Sequence, residues 1–183
     1  MRPQYDLLTD VEDLDQLVWL SATSMTWPER YADWLFDPTS LTAKLCQHTS
    51  QLRVHLLTSG WIPSKATSST QLMRQVLLSD DERPWIWGLT QVTTSQLQNE
   101  PDLLNWKAQP LGTLLFAAAE EQNSCREFEV ADFSTQASFA KLLPQWGCTE
   151  THPLWGRRST VCFRSCQLSL TEVFLPQHPM YGV

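Results

Sequence analysis

Gln167-Leu168-Ser169-Leu170-Thr171-Glu172-Val173-Phe174-Leu175 alternates in the manner of a β-strand, whose successive side chains point to opposite faces. One face carries Leu168, Leu170, Glu172 and Phe174; the other carries Gln167, Ser169, Thr171 and Val173. Glu172 therefore sits on the more apolar face, between Leu170 and Phe174. An ionised carboxylate is costly there unless it is paired, or unless it protonates. The stretch Gln71-Leu72-Met73-Arg74-Gln75-Val76-Leu77-Leu78 repeats the anomaly with the opposite sign, because Arg74 shares a face with Leu72, Val76 and Leu78. Two opposite charges on apolar strand faces imply either a buried ion pair or a polar pocket in an apolar interior.

Further strands flank these two. Leu154 to Phe163 pairs with Gln167 to Leu175 across a connection near Arg164-Ser165. Gln51 to Leu57 alternates Leu52, Val54 and Leu56 against Arg53 and His55, and Gly60 and Pro63 are expected to end it. Ser79 to Pro84 reads as a turn between Gln71–Leu78 and a strand from Trp85 to Val92. Arg126 to Phe133 sets Phe128 and Val130 against Glu127 and Glu129. Helical spacing is found at Leu7, Val11, Leu14 and Leu17-Val18, in Tyr31 to Phe36, in Ser95 to Trp106, in Thr113 to Glu120 and in Thr135 to Leu143. Ser40 is placed to cap a helix running from Leu41 through Lys44, Leu45 and His48. Hairpin-like strands with intervening helices predict an α+β fold: one antiparallel sheet with helices packed on one side, in a single domain over 1–183.

The composition narrows the function. With 42% hydrophobic residues and 9 Trp, the chain can build a solid core. A net charge of −7 argues against non-specific nucleic-acid or anionic-membrane binding. An anion would then have to be held by a local cluster drawn from only 13 Lys and Arg. The N-terminus shows no signal peptide, and no apolar stretch approaches the ~20 residues that span a bilayer. The odd count of 5 cysteines, without CxxC spacing, fits reduced thiols in the cytoplasm. Cys162 and Cys166 are expected on one face of one continuous strand. No metal motif, GxGxxG, P-loop or GxSxG is present.

Two more motifs bear on a site. In Trp155-Gly156-Arg157-Arg158-Ser159, adjacent arginines on a strand face opposite ways, so one of them can face a pocket; periodicity leaves open which. Pro110-Leu111-Gly112 reads as a helix start. It is either an ordinary one or one whose free N–H groups receive a carboxylate.

These residues resemble the chorismate lyase (chorismate–pyruvate lyase) family. The resemblance is carried by Leu154-Trp155-Gly156-Arg157-Arg158-Ser159, by Leu170-Thr171-Glu172-Val173-Phe174-Leu175-Pro176, and by Pro179-Met180-Tyr181. Met73-Arg74-Gln75-Val76-Leu77-Leu78, Pro84-Trp85 and Pro110-Leu111-Gly112 with Leu115-Phe116 extend it in the same order, over roughly Leu35 to Tyr181. The poorly matching, helical 1–34 region carries none of it. The resemblance implies a sheet of about six antiparallel strands with helical flaps over a buried site. It implies conversion of chorismate to 4-hydroxybenzoate and pyruvate, the first step of ubiquinone biosynthesis, with no metal or organic cofactor. The implied partners are this substrate and product alone, with no nucleic acid and no membrane span, for a cytoplasmic monomer.

By position, the resemblance implies Glu172 and Arg74 as catalytic residues, and Leu41, Arg74, Leu111 and Glu172 as substrate-binding residues, Leu111 acting through its backbone amide. Leu41 stands where the family has methionine. Leu89 stands where the family member compared has arginine, a departure expected to weaken attraction of a dianion at the entrance. The same fold also serves effector-sensing domains of transcription regulators. The acidic N-terminal segment, with Asp10, Glu12, Asp13 and Asp15, does not resemble their DNA-binding module.

Overall fold

The strand bearing Glu172 lies at the centre of the sheet. In this computed structural model the described residues are Leu14, 16–63, 70–97, 126–148, 153–163 and 166–182. Seven strands are found among them: β1 (Leu20–Ser21), β2 (Leu52–Pro63), β3 (Thr70–Asp80), β4 (Arg83–Thr93), β5 (Glu129–Asp132), β6 (Trp155–Phe163) and β7 (Cys166–Phe174). They form one sheet in the order β1-β5-β6-β7-β4-β3-β2, and every neighbouring pair is antiparallel. The helices are α1 (Glu29–Leu35), α2 (Leu41–Leu45), α3 (Thr94–Leu97) and α4 (Ala137–Gln145), followed by a 3-10 turn at Pro179–Tyr181.

Register decides what shares a face. Val76 pairs with Gly88, Gly88 with Glu172, and Glu172 with Arg157. Two residues along, Arg74 pairs with Thr90, Thr90 with Leu170, and Leu170 with Ser159. Directly opposed residues lie on one side of a sheet, and alternate residues return to it. Both rows therefore share a face. At one end of that face Trp34 and Leu35 of α1, and Leu41 and Leu45 of α2, pack on Leu78, Ile86 and Phe174. At the other end Leu97 of α3 joins Leu72, Val92, Val161, Leu168 and Leu170. The reverse face presents Leu77, Trp87, Leu89 and Val173 to Phe139 and Leu142 of α4.

The single antiparallel sheet of an α+β fold is as expected from the sequence. Its seventh strand, β1, is two residues long, too short for an alternation pattern to reveal, and it falls where helix was expected. Helices lie on both faces rather than one, because Trp87, Leu89 and Val173 make the reverse face apolar too and α4 covers it. β2 runs through Gly60 to Pro63 instead of stopping at them. It is the edge strand and has a register shift between Leu56 and Thr58, and an edge tolerates proline because the ladder needs no donor on that side. The turn between β3 and β4 is only Asp81-Glu82, with Asp81 at φ 52°, a left-handed conformation that Asp accepts more readily than most residues. Cys162 and Cys166 lie on opposite faces, because Phe163 pairs with Cys166 across the β6–β7 hairpin. Ser40 caps α2 as expected, its Oγ accepting from the Ala43 N–H at 3.3 Å. The helices expected at 113–120 and over most of 95–106 lie outside the described residues.

Candidate active site

Between the two apolar clusters of the α1–α2 face lies a polar band. Arg74, Thr90, Ser159 and Arg157 are all buried in it, and Glu172 is half-buried. Arg74, only 2% exposed, has its guanidinium pKa lowered to about 10 by burial, since desolvation penalises the charged form. Arg157 is 1% exposed. Its Nε donates to Glu172 Oε2 at 2.7 Å, and its Nη1 donates to the Trp34 carbonyl at 2.7 Å and the Asp37 carbonyl at 3.1 Å. These bonds tie the centre of the sheet to the end of α1 and to the turn before α2.

That turn is itself braced. Lys44 Nζ donates to Asp37 Oδ2 at 2.7 Å. Burial raises the Asp37 carboxyl, but hydrogen bonds from Lys44 and Thr39 outweigh it and hold the group below its usual range. Leu41, the first residue of α2, is thereby fixed in the apolar cluster bordering the band.

A third arginine enters from the segment before β5. Arg126 Nη2 donates to Ser159 Oγ at 2.6 Å. Burial lowers its pKa to about 10; the Glu172 charge opposes that shift and the Arg157 charge adds to it. The Phe128 ring lies against both cations, with Arg126 Cζ 4.8 Å and Arg157 Cζ 4.6 Å from its centroid. Arg157 pairs with Glu172, and the Glu172, Arg157 and Asp37 charges all act on Arg126, while Asp37 itself is paired with Lys44. Such a band suits an anion.

Its floor is low. Gly88 and Thr90 lie between Arg74 on β3 and Glu172 on β7. Strand spacing puts those two Cα atoms roughly 12 Å apart, two strands and one row away from each other. A Cβ on Gly88 would already touch Val76 Cγ2 at 3.1 Å.

The structure thus brings Arg74 and Glu172 onto one face, as their strand patterns predict, but gives Glu172 the partner Arg157. The choice left open between Arg157 and Arg158 is also decided. Arg158 is on the reverse side, with Nε donating to Glu129 Oε2 at 2.7 Å and its guanidinium over Trp19. Leu111 lies outside the described residues. Leu89 is 1% exposed and packs with Trp87 and Val173 on the reverse face, so a leucine there completes a core and leaves the polar band untouched. Arg126 and Ser159 were not anticipated. Arg126 is two residues before Phe128 and four before Val130, so period-two alternation already put its charge among apolar neighbours.

A sequence model described as chorismate lyase matches residues 13–182. The chain belongs to the chorismate lyase family. The match takes in residues 13–34, most of the N-terminal region expected to match poorly. Chorismate pyruvate-lyase from Pectobacterium carotovorum subsp. carotovorum is 33% identical over 178 residues, covering 92% of this chain and 89% of that one. Chorismate pyruvate-lyase from Pectobacterium atrosepticum is 31% identical with the same coverage. Among solved structures, the effector domain of PhnF from Mycobacterium smegmatis superposes with a TM-score of 0.50 at 12% identity, over 74% of this chain and 86% of that one. The ligand-binding domain of a GntR-family regulator from Bordetella bronchiseptica also gives 0.50, at 13% identity over 71% and 89%. These likenesses establish a shared fold. No helix among the described residues of this chorismate lyase family member is long and apolar enough to cross a membrane.

Proposed function

We propose that the protein converts chorismate to 4-hydroxybenzoate and pyruvate, cofactor-free and in the cytoplasm, as the first step of ubiquinone biosynthesis. The observation that carries this reading is the buried polar band between two apolar clusters, whose two ends are Arg74 and Glu172. Family membership, and relatives named chorismate pyruvate-lyase, support the same reading.

In the proposed pose Arg74, with the Leu111 N–H, holds the ring carboxylate. Glu172 receives the 4-hydroxyl on the oxygen that Arg157 does not use, and Leu41 borders the ring. The electron pair of the C4–H bond becomes the new ring double bond as the neighbouring ether C–O bond breaks. The ether electrons leave on oxygen, giving enolpyruvate. Glu172 takes the C4 proton and returns it to the enolpyruvate methylene carbon, giving pyruvate. Nothing is oxidised overall, and aromatisation supplies the driving force. The protein's contribution is orientation and charge stabilisation in a dry site.

The fold shared with regulator effector domains favours a second reading, binding of a small aromatic acid without catalysis. One assay separates the two. Purified protein is incubated with chorismate while 4-hydroxybenzoate and pyruvate are followed together. Equal molar release of both above the spontaneous rate supports the lyase. Saturable binding without product supports the sensor.

A further inference from the structure

Arg157 uses two of its three guanidinium nitrogens. Nε donates to Glu172 Oε2 at 2.7 Å, and Nη1 donates to the Trp34 and Asp37 carbonyls at 2.7 and 3.1 Å. Nη2 is buried and has no hydrogen-bond partner among the described residues. A buried donor left unmet is costly, and a bound acceptor relieves that cost.

The shape of the group says where this donor points. Nε–H and one Nη2–H lie side by side on one edge of the planar guanidinium, the edge that can grip both oxygens of a carboxylate. Here the carboxylate takes Nε alone. The idle Nη2–H is therefore directed along the same edge, to the side of the Glu172 carboxylate. Nη1 is anchored to the end of α1 and the turn before α2, so the group cannot swing away. The Phe128 and Phe174 rings lie against it, with their centroids 4.6 and 5.7 Å from Cζ. Such surroundings keep the donor dry.

The substrate has an acceptor for that place. In the pose above, Glu172 receives the hydroxyl on the oxygen that Arg157 does not use, and the ether oxygen is on the adjoining ring carbon. With the ring carboxylate at Arg74 on β3, the ring crosses β4 towards β7. The next strand is β6, where Arg157 stands directly opposite Glu172. The ether oxygen then falls beside the Glu172 carboxylate, on the donor edge of Arg157.

We propose that Arg157 is a further catalytic residue, whose Nη2 donates a hydrogen bond to the ether oxygen and stabilises the charge that oxygen gains as it leaves. This assignment rests on the lyase reading. As the C–O bond breaks, its electron pair passes to the oxygen and forms the enolate of pyruvate. Arg157 keeps its proton, and the C4 proton still travels through Glu172. The hydrogen bond strengthens as charge develops, so it acts more on the transition state than on the bound substrate.

The test pairs turnover with a ligand that imitates the ether oxygen. Relative to 4-hydroxybenzoate, 3,4-dihydroxybenzoate adds an oxygen on the carbon beside the hydroxyl-bearing one. The wild type binds it about threefold or more tighter by tryptophan fluorescence, and Arg157→Lys, which keeps the charge but loses the second tine of the fork, abolishes the preference. In Arg157→Lys, kcat for chorismate falls about a hundredfold per 4-hydroxybenzoate-binding site, the scale of one lost donor to a developing oxyanion, while KM and the Kd of 4-hydroxybenzoate stay within about threefold. A residue that merely props Glu172 would weaken 4-hydroxybenzoate as much as it slows turnover, and that result overturns the proposal. So does a kcat retained within about threefold, or a wild type without the preference, which needs no variant to measure. If the wild type makes no product from chorismate, the lyase reading falls and the catalytic role with it. The ligand preference and its loss in Arg157→Lys then decide separately whether Nη2 receives an oxygen at that position.

Discussion

Replacing Arg157 by methionine should be among the most damaging single changes in the sheet. The side chain is 1% exposed and makes three hydrogen bonds, to Glu172 Oε2 and to the carbonyls of Trp34 and Asp37. Methionine fills much of the volume and supplies no donor. Removing one partner of a buried pair costs about 3–5 kcal/mol, because the other charge stays behind unpaired. The Glu172 side chain retains 16% exposure, which relieves some of that cost and puts the expectation near the lower end, about 3 kcal/mol. For a chain of this size that corresponds to a Tm drop of roughly 6–12 °C. The assay is urea and thermal unfolding of a double-mutant cycle. Arg157→Met with Glu172→Leu removes both charges and should recover much of the loss, since hydrophobic replacement of a buried pair is often neutral. A cost below about 1 kcal/mol for Arg157→Met, or a double variant equal to the sum of the singles, would refute the claim that this pair ties sheet to helices.

Gly156→Ala should destabilise by about 1–3 kcal/mol or more in urea unfolding, since its Cβ would collide with the fully buried Phe133 ring, reaching Cδ2 at 2.8 Å. Gly88→Val should weaken 4-hydroxybenzoate binding at least about tenfold in fluorescence titration, because it fills the floor between Arg74 and Glu172; unchanged affinity would place the ligand elsewhere. Stability should also fall on acidification. Burial, then the charges of His48, Arg157 and Lys44, depress the His178 pKa well below its ordinary 6.5. Below that pH the unfolded chain binds the proton and the folded one does not, so the stability present above about pH 6.5 is lost by up to about 1.4 kcal/mol per unit as pH decreases. His178→Asn, which can keep an acceptor for the Met180 N–H, should flatten the slope in denaturation curves between about pH 6.5 and 5.5.

The misplaced charges were the readable part of the site. Alternation alone put Arg74 and Glu172 on apolar faces, and the structure keeps them there. Arg157 was within reach too. A two-residue connection at Arg164-Ser165 fixes the hairpin register, and seven residues back on one strand stands opposite seven residues forward on the other, pairing Arg157 with Glu172. What periodicity cannot supply is the order of strands. Gly88 and Thr90 become a floor only because β4 lies between β3 and β7, a neighbour relation set by long-range packing. For the same reason Leu89 looked like a lost entrance charge, although it faces the opposite core. A two-residue strand such as β1 carries no pattern at all.

The account stands most directly on where a small aromatic acid lies. A crystal structure of the protein with 4-hydroxybenzoate measures it. The expected result has the carboxylate on Arg74, the ring over Gly88 and Thr90, and the hydroxyl on Glu172. A ligand bound outside this band, or Arg74 and Glu172 in direct contact with no ligand between them, would contradict it.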